Sequence, residues 1–325
     1  MRLMLSCLLA VSAAVFAPLD LPAADQPTPG PFTLGVMRRD GVMIPFAQYD
    51  GRNWRNDWPT PFSEVDVPIS LPNVPKRWWG KVPAASEWVF WETGGTPRPV
   101  KIAAPLLYDA HCVSNIGLKT DYRATQPVPP PIIHHHPKDG LVVTGGVRIE
   151  PIEVLRDHMP EWKEALNWLG PHVDAIEKRS ETSWTWPGAG SSFNSRRRAE
   201  IPFVLEVLCR TPGLTPGSYV YYFEALRRYP IPPQRSSMAR EFTAFSRGYV
   251  LPGRPPDRTV DSAELEGSIL MQPDFDYMYP LGAIRVGAKL FWVAQWSGRG
   301  RERYTVTQMD AKKVKTVVNT AGGGC

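Results

Sequence analysis

Apolar and polar residues alternate in short runs along most of this chain. A period of two places successive side chains on opposite faces, which predicts strands rather than helices. Phe32 to Arg38 and Val42 to Tyr49, joined through Asp40-Gly41, predict a hairpin. Asp50-Gly51 marks the next turn. Glu87 to Glu92 and Arg98 to Ile102, around Gly94-Gly95, and Leu141 to Thr144 and Val147 to Val154, around Gly145-Gly146, predict two more hairpins. Later strands are expected at Pro202 to Arg210, Ser218 to Arg227, Phe242 to Leu251, Glu264 to Met271, Ala283 to Trp296, Arg303 to Met309 and Val314 to Asn319.

The period changes once. Trp162, Leu166, Leu169, Val173 and Ile176 fall on one helical face, with Glu161, Lys163, Glu164 and Asp174 off it. Pro160 suits a first helical turn. The spacing predicts one substantial helix over 159–180, kinked or split at Gly170-Pro171. The 35 prolines argue against further long helices. They crowd into 59–86 and 126–138, which read as irregular and polyproline-like stretches.

One pattern recurs near both ends with the same internal spacing. Leu34-Gly35, Arg38, Ala47-Gln48, Tyr49 and Gly51-Arg52 are echoed by Leu281-Gly282, Arg285, Ala294-Gln295, Trp296 and Gly298-Arg299. Two hairpins with the same buried pattern, each followed by a glycine-requiring turn, would account for the echo. The fold class expected is therefore mainly β. Antiparallel hairpins would form a pseudo-symmetric barrel, sandwich or propeller-like arrangement, with one helical insertion near 159–180.

The first 24 residues change the picture of where this fold works. A charged start at Met1-Arg2, an apolar run from Leu3 to Phe16 and small residues at Ala23-Ala24 have the layout of a secretory signal peptide. The apolar run is too short to span a bilayer comfortably. The expectation is a leader over 1–24 and a single β-rich domain over 25–325, secreted or periplasmic, with no integral membrane segment after cleavage. Net charge is +5 and is unchanged by removing Arg2 and Asp20. A basic exported protein fits an anionic envelope polymer or glycan as partner better than nucleic acid.

Export also sets the reading of the cysteines. Cys7 leaves with the leader, so Cys112, Cys209 and Cys325 are the disulfide candidates, and three single pairings are open. A cysteine nucleophile built from Asp109, His111 and Cys112 is disfavoured, because adjacent strand residues point to opposite sides.

Other candidate chemistry is sparse. His134-His135-His136, with Asp139 nearby, has metal-ligating side chains but sits between prolines without a supporting ligand motif, so it reads as a solvated loop. Arg196-Arg197-Arg198 reads as a charged loop tip. Glu206 and Glu224 stand inside apolar strand segments, where a carboxylate is either paired or functionally poised. Together they are the candidate catalytic pair, with Arg210, Arg227 or Arg228 as the salt-bridge partners that would make them structural. Trp78-Trp79 and Trp184 with Trp186 are the candidate ligand-binding aromatics. No phosphate loop, dinucleotide fingerprint, nucleophile elbow or zinc-protease motif occurs, and no cofactor is implied. The leading expectation is an exported binding or structural protein of a bacterial-type cell envelope or extracellular space. The alternative is a secreted hydrolase acting on glycans through Glu206 and Glu224.

Overall fold

The computed structural model describes residues 29–59, 70–79, 87–93, 96–110, 112–125, 138–181, 199–230, 241–252, 260–270, 275–310 and 313–324. Its strands are antiparallel and fall into three sheets. The first contains β1 (Phe32–Met37), β2 (Val42–Tyr49), β3 (Trp54–Arg55), β4 (Trp88–Glu92), β5 (Pro97–Val100), β6 (Ile102–Ala110), β7 (Val113–Thr120) and β8 (Gly140–Val143). Its order is β5-β4-β8-β1-β2-β7-β6, with β3 paired to β2, and it curls into a half-barrel. A short helix, α1 (Lys76–Trp79), lies between β3 and β4. The second sheet contains β9 (Glu153–Val154), β10 (Val204–Pro212), β11 (Tyr219–Pro230), β12 (Glu241–Pro252) and β13 (Val260–Leu270). The long helix α2 (Pro160–Glu181) falls between β9 and β10. The third is a four-stranded meander of β14 (Tyr277–Val286), β15 (Lys289–Gly298), β16 (Arg301–Met309) and β17 (Val314–Gly324).

Alternation along β15 explains how the sheets stack. Phe291 and Val293 join a core with Phe32, Leu34, Ile44 and Leu141 of the half-barrel. Leu290, Trp292, Ala294 and Trp296 face the other way and join Val207, Cys209, Tyr222 and Tyr249 of the second sheet. The meander is thus the middle layer, and along β15 both of its faces are buried. A sheet covered on both sides buries nearly every position, as β1, β2 and β15 do.

The two outer sheets are each covered again. Trp58, Trp78, Trp79 and Trp88 pack on the far face of the half-barrel with Phe90, Ile116 and Leu118. On the far face of the second sheet, Ala165, Leu169, Val173 and Ile176 of α2 meet Leu205, Leu208, Phe223 and Val250. Burying each large apolar side chain contributes roughly 2 kcal/mol. Among the described residues no helix is long and apolar enough to cross a membrane.

Several local expectations need correction. The helix runs through Gly170-Pro171 without a split. Pro171 is exposed, so its ring interrupts the solvent side and leaves the buried stripe intact. Residues 141–154 do not form a hairpin. β8 instead pairs with β1 and β4, and Glu150 crosses to bridge Ala283 of β14. The expected single strand from Ala283 to Trp296 is a hairpin, turned at Gly287, where φ is +55°. The β6–β7 hairpin has no clear counterpart in the sequence pattern. β6 lies at a sheet edge and leaves Leu107 45% exposed, so its apolar run never alternates.

Candidate functional site

Glu206 and Glu224 sit on neighbouring strands, and a bulge brings them together. The β10–β11 register shifts between Leu205 and Val207, with Val207 opposite Glu224. A bulge adds one residue and re-aims the side chain at that point. Glu206 is thereby turned toward the middle layer, where its carboxylate hydrogen-bonds with Tyr277 of β14. Glu224 faces the same layer. Its Oε1 accepts from the Tyr222 hydroxyl at 2.7 Å and from the Met278 backbone N–H at 2.8 Å.

Glu224 is fully buried. Burial, the largest influence, pushes its carboxyl up to about 8, and the Glu206 charge adds to the rise. The Tyr222 hydroxyl, the Met278 N–H and Arg247 pull the other way and lose. Near neutral pH, Glu224 is therefore mostly the neutral acid. Oε2 has no hydrogen-bond partner among the described residues. An unsatisfied neutral oxygen costs far less in a dry layer than an unsatisfied charge. Burial likewise pushes the Tyr222 and Tyr277 hydroxyls above their ordinary range.

The surrounding residues come from register rather than from sequence proximity. Arg247 lies directly opposite Glu224 on β12, where it donates to the Asp276 carbonyl at 3.0 Å and rests 4.8 Å from the Trp296 ring centre. Arg210 pairs with Glu153 and Glu161. Arg227 points to the opposite face of β11, where it meets Glu177 and Asp174. Of the arginines anticipated from sequence, neither of these two salt-bridges the Glu206–Glu224 pair. Arg247, Tyr222 and Tyr277 carry no recognisable signal in the sequence, because only strand pairing makes them neighbours.

Other proposed site residues fare differently. Trp78 and Trp79 are buried. They are 6% and 3% exposed, with ring centres 5.5 and 5.4 Å from that of Trp58. The Trp58 indole N–H donates to the Ile116 carbonyl at 2.9 Å and fixes the cluster over the half-barrel. The tryptophans fill a layer on the far face of the half-barrel, so their size serves packing. Trp184 and Trp186 lie outside the described residues, as do His111, His134, His135, His136 and Arg196-Arg197-Arg198. Asp139 is engaged by Arg39 at 2.9 Å and by the Tyr122 hydroxyl at 2.5 Å.

Cys209 is a free thiol with no exposure, and burial pushes it up. This corrects its place among the disulfide candidates: its strand position points it into the dry layer between the second and third sheets. Cys325 lies outside the described residues. Among the described residues, no group of three or more His, Cys, Asp or Glu side chains converges on a metal position.

A second buried polar cluster lies between the half-barrel and the meander. Lys138 Nζ meets Glu302 Oε2 at 2.7 Å, Gln295 Nε2 donates to the same oxygen at 3.2 Å, and the Tyr304 hydroxyl donates to Glu302 Oε1. The Lys138 backbone N–H donates to Gln295 Oε1 at 3.0 Å. This is a closed network in which each charge has a counter-charge or donor, as a structural tie requires. No protein family, curated protein or solved structure matches the chain.

Proposed function

We propose that the chain is an exported, non-catalytic binding or structural protein of the cell envelope or extracellular space. The observation that carries this reading is the sealing of the strongest acid–base candidate. Glu224 has no exposure, and its carboxyl is held by Tyr222 and Met278 inside the sheet layers. A substrate cannot reach a carboxyl that is packed between two sheets. The leader-like pattern over 1–24 supports export, and the +5 charge favours an anionic envelope polymer or glycan as partner.

Fractionation of cells making the full chain tests the address, and N-terminal sequencing of the product tests cleavage near Asp25. Recovery in the envelope or medium with the leader removed is the expected result; a cytoplasmic protein retaining Met1 would sink the export reading. Incubation with anionic polysaccharides at low and high salt tests the partner class, with salt-sensitive binding expected.

A second reading is favoured by one feature. A carboxyl at about 8 beside another carboxylate has the protonation needed of a glycosidase acid. Under that reading Glu224→Gln abolishes glycan hydrolysis without unfolding the protein. Under the preferred reading neither the parent chain nor the variant hydrolyses glycans.

A further inference from the structure

The end of β17 packs directly against the end of β6. A Cβ placed on Gly323 would lie 2.7 Å from the Ala110 Cβ and 2.8 Å from the Ala110 carbonyl oxygen. Only glycine allows the two backbones to approach this closely. Cys112 follows Ala110 by two residues, in the exposed turn between β6 and β7. Cys325 follows Gly323 by two. Two extended residues reach about 7 Å, so each cysteine is tethered within about 7 Å of one contact, a leash that lets the two come within the span a disulfide bridges.

The remaining cysteines do not compete. Cys209 is a free thiol with no exposure, enclosed with Tyr222, Trp292 and Met309. Cys112 is not a free thiol. Cys7 belongs to the segment expected to leave with the leader. From this contact, and from the elimination of Cys209, we propose that Cys112 and Cys325 form a disulfide that staples the meander to the β6–β7 hairpin of the half-barrel.

The bond joins two sheets that are otherwise held at this corner by a glycine contact and a few neighbouring strand contacts. It also closes a loop that contains most of the chain, including the whole second sheet and α2. Cross-linking so long a loop restricts the unfolded chain more than the folded one. The step balances as thiol–disulfide exchange: two thiols lose two protons and two electrons as the S–S bond forms. A disulfide-bearing oxidase of the exported compartment accepts them and becomes a dithiol. Formation in cells rests on the export reading, whereas the pairing itself rests on the geometry.

Two samples separate these. The full chain is recovered from the exported fraction without reductant. The leaderless chain is purified reduced and folded, then treated with oxidised glutathione. Each is alkylated, digested without reduction and mapped by mass spectrometry. The expected product is a linked pair of peptides holding Cys112 and Cys325, two hydrogen masses lighter than the free pair, with Cys209 alkylated only after unfolding. Cys112→Ser and Cys325→Ser should each lower the thermal midpoint by roughly 5–15 °C. The double variant should match either single one, and reductant should lower the parent to the same value. If Cys112 and Cys325 are both alkylated in the folded, glutathione-treated chain, the pairing is overturned. A link formed by glutathione but missing from the cellular protein would sustain the pairing and overturn the export reading.

Discussion

Strand β11 carries buried charge chemistry on both of its faces, and the two faces solve the same problem differently. On the α2 side, Arg227 meets Glu177 at 2.7 Å and Asp174 at 2.9 Å, and the Tyr229 hydroxyl donates to Glu177 at 2.5 Å. On the side toward the meander, Glu224 has a tyrosine, one backbone N–H and a second carboxylate nearby. Burial pushes both Glu177 and Glu224 up. Only Glu177 has a guanidinium in hydrogen-bond contact. A buried carboxylate with a bonded cation can stay ionised, whereas one without it keeps its proton. The α2 face is a structural clamp, and the inner face is a stored acid.

The comparison breaks most readily at Arg227. Arg227→Ala leaves Glu177 buried without its counter-charge and should cost about 3–5 kcal/mol in chemical denaturation. A loss under about 1 kcal/mol would mean that the clamp is not structural.

Glu224 should behave in the opposite way. The folded chain keeps the Glu224 proton up to about pH 8, while the unfolded chain releases it near the ordinary value of 4.5. The Glu224 contribution to stability is thus fullest below pH 4.5, falls as pH rises through the interval, and levels off above about 8. Glu224→Gln removes that proton dependence. It should leave acid stability nearly unchanged and gain about 4–5 kcal/mol at pH 9. Denaturation midpoints across the interval check this, and an unaltered slope in the variant would refute the stored acid.

The smallest effect sharpens the inner face alone. Glu206→Gln removes the neighbouring charge and should lower the Glu224 titration by about one unit or less. Carboxyl-labelled NMR titration reads it directly, and an upward movement would contradict the proximity of the two groups.

The echoed hairpins show how far sequence pattern carries. Both halves of the echo do form hairpins, and both contain a bulge at the shared Leu-Gly step. Yet Leu34 pairs with Ala47, whereas Leu281 is skipped in the register and Ala294 pairs with Pro280. The cause is the turn. The first hairpin closes through Arg38 to Gly41, the second through Gly287 and Ala288, so equal spacing gives unequal registers. The glycine after each aromatic also diverges. Gly51 takes a φ of +98°, while the second turn puts positive φ at Gly300, not at Gly298. The echoed glutamines are both buried, but Gln48 bonds to the Trp78 carbonyl and Gln295 to Ser297, Glu302 and Lys138.

By itself, the sequence determined the β-rich class, the positions of most strands and the single long helix, because hydrophobic period is a local property of the chain. It also marked Glu206 and Glu224 as unusual, since a carboxylate in an apolar run is visible without coordinates. Only the tertiary structure decided what they are. The bulge that turns Glu206 inward, the β12 register that sets Arg247 opposite Glu224 and the meander that seals Glu224 from water all depend on strands distant in sequence. The same holds for the tryptophans. Their richness was plain in the composition, but whether Trp78 and Trp79 met ligand or core depended on which face of the half-barrel the intervening segment crossed.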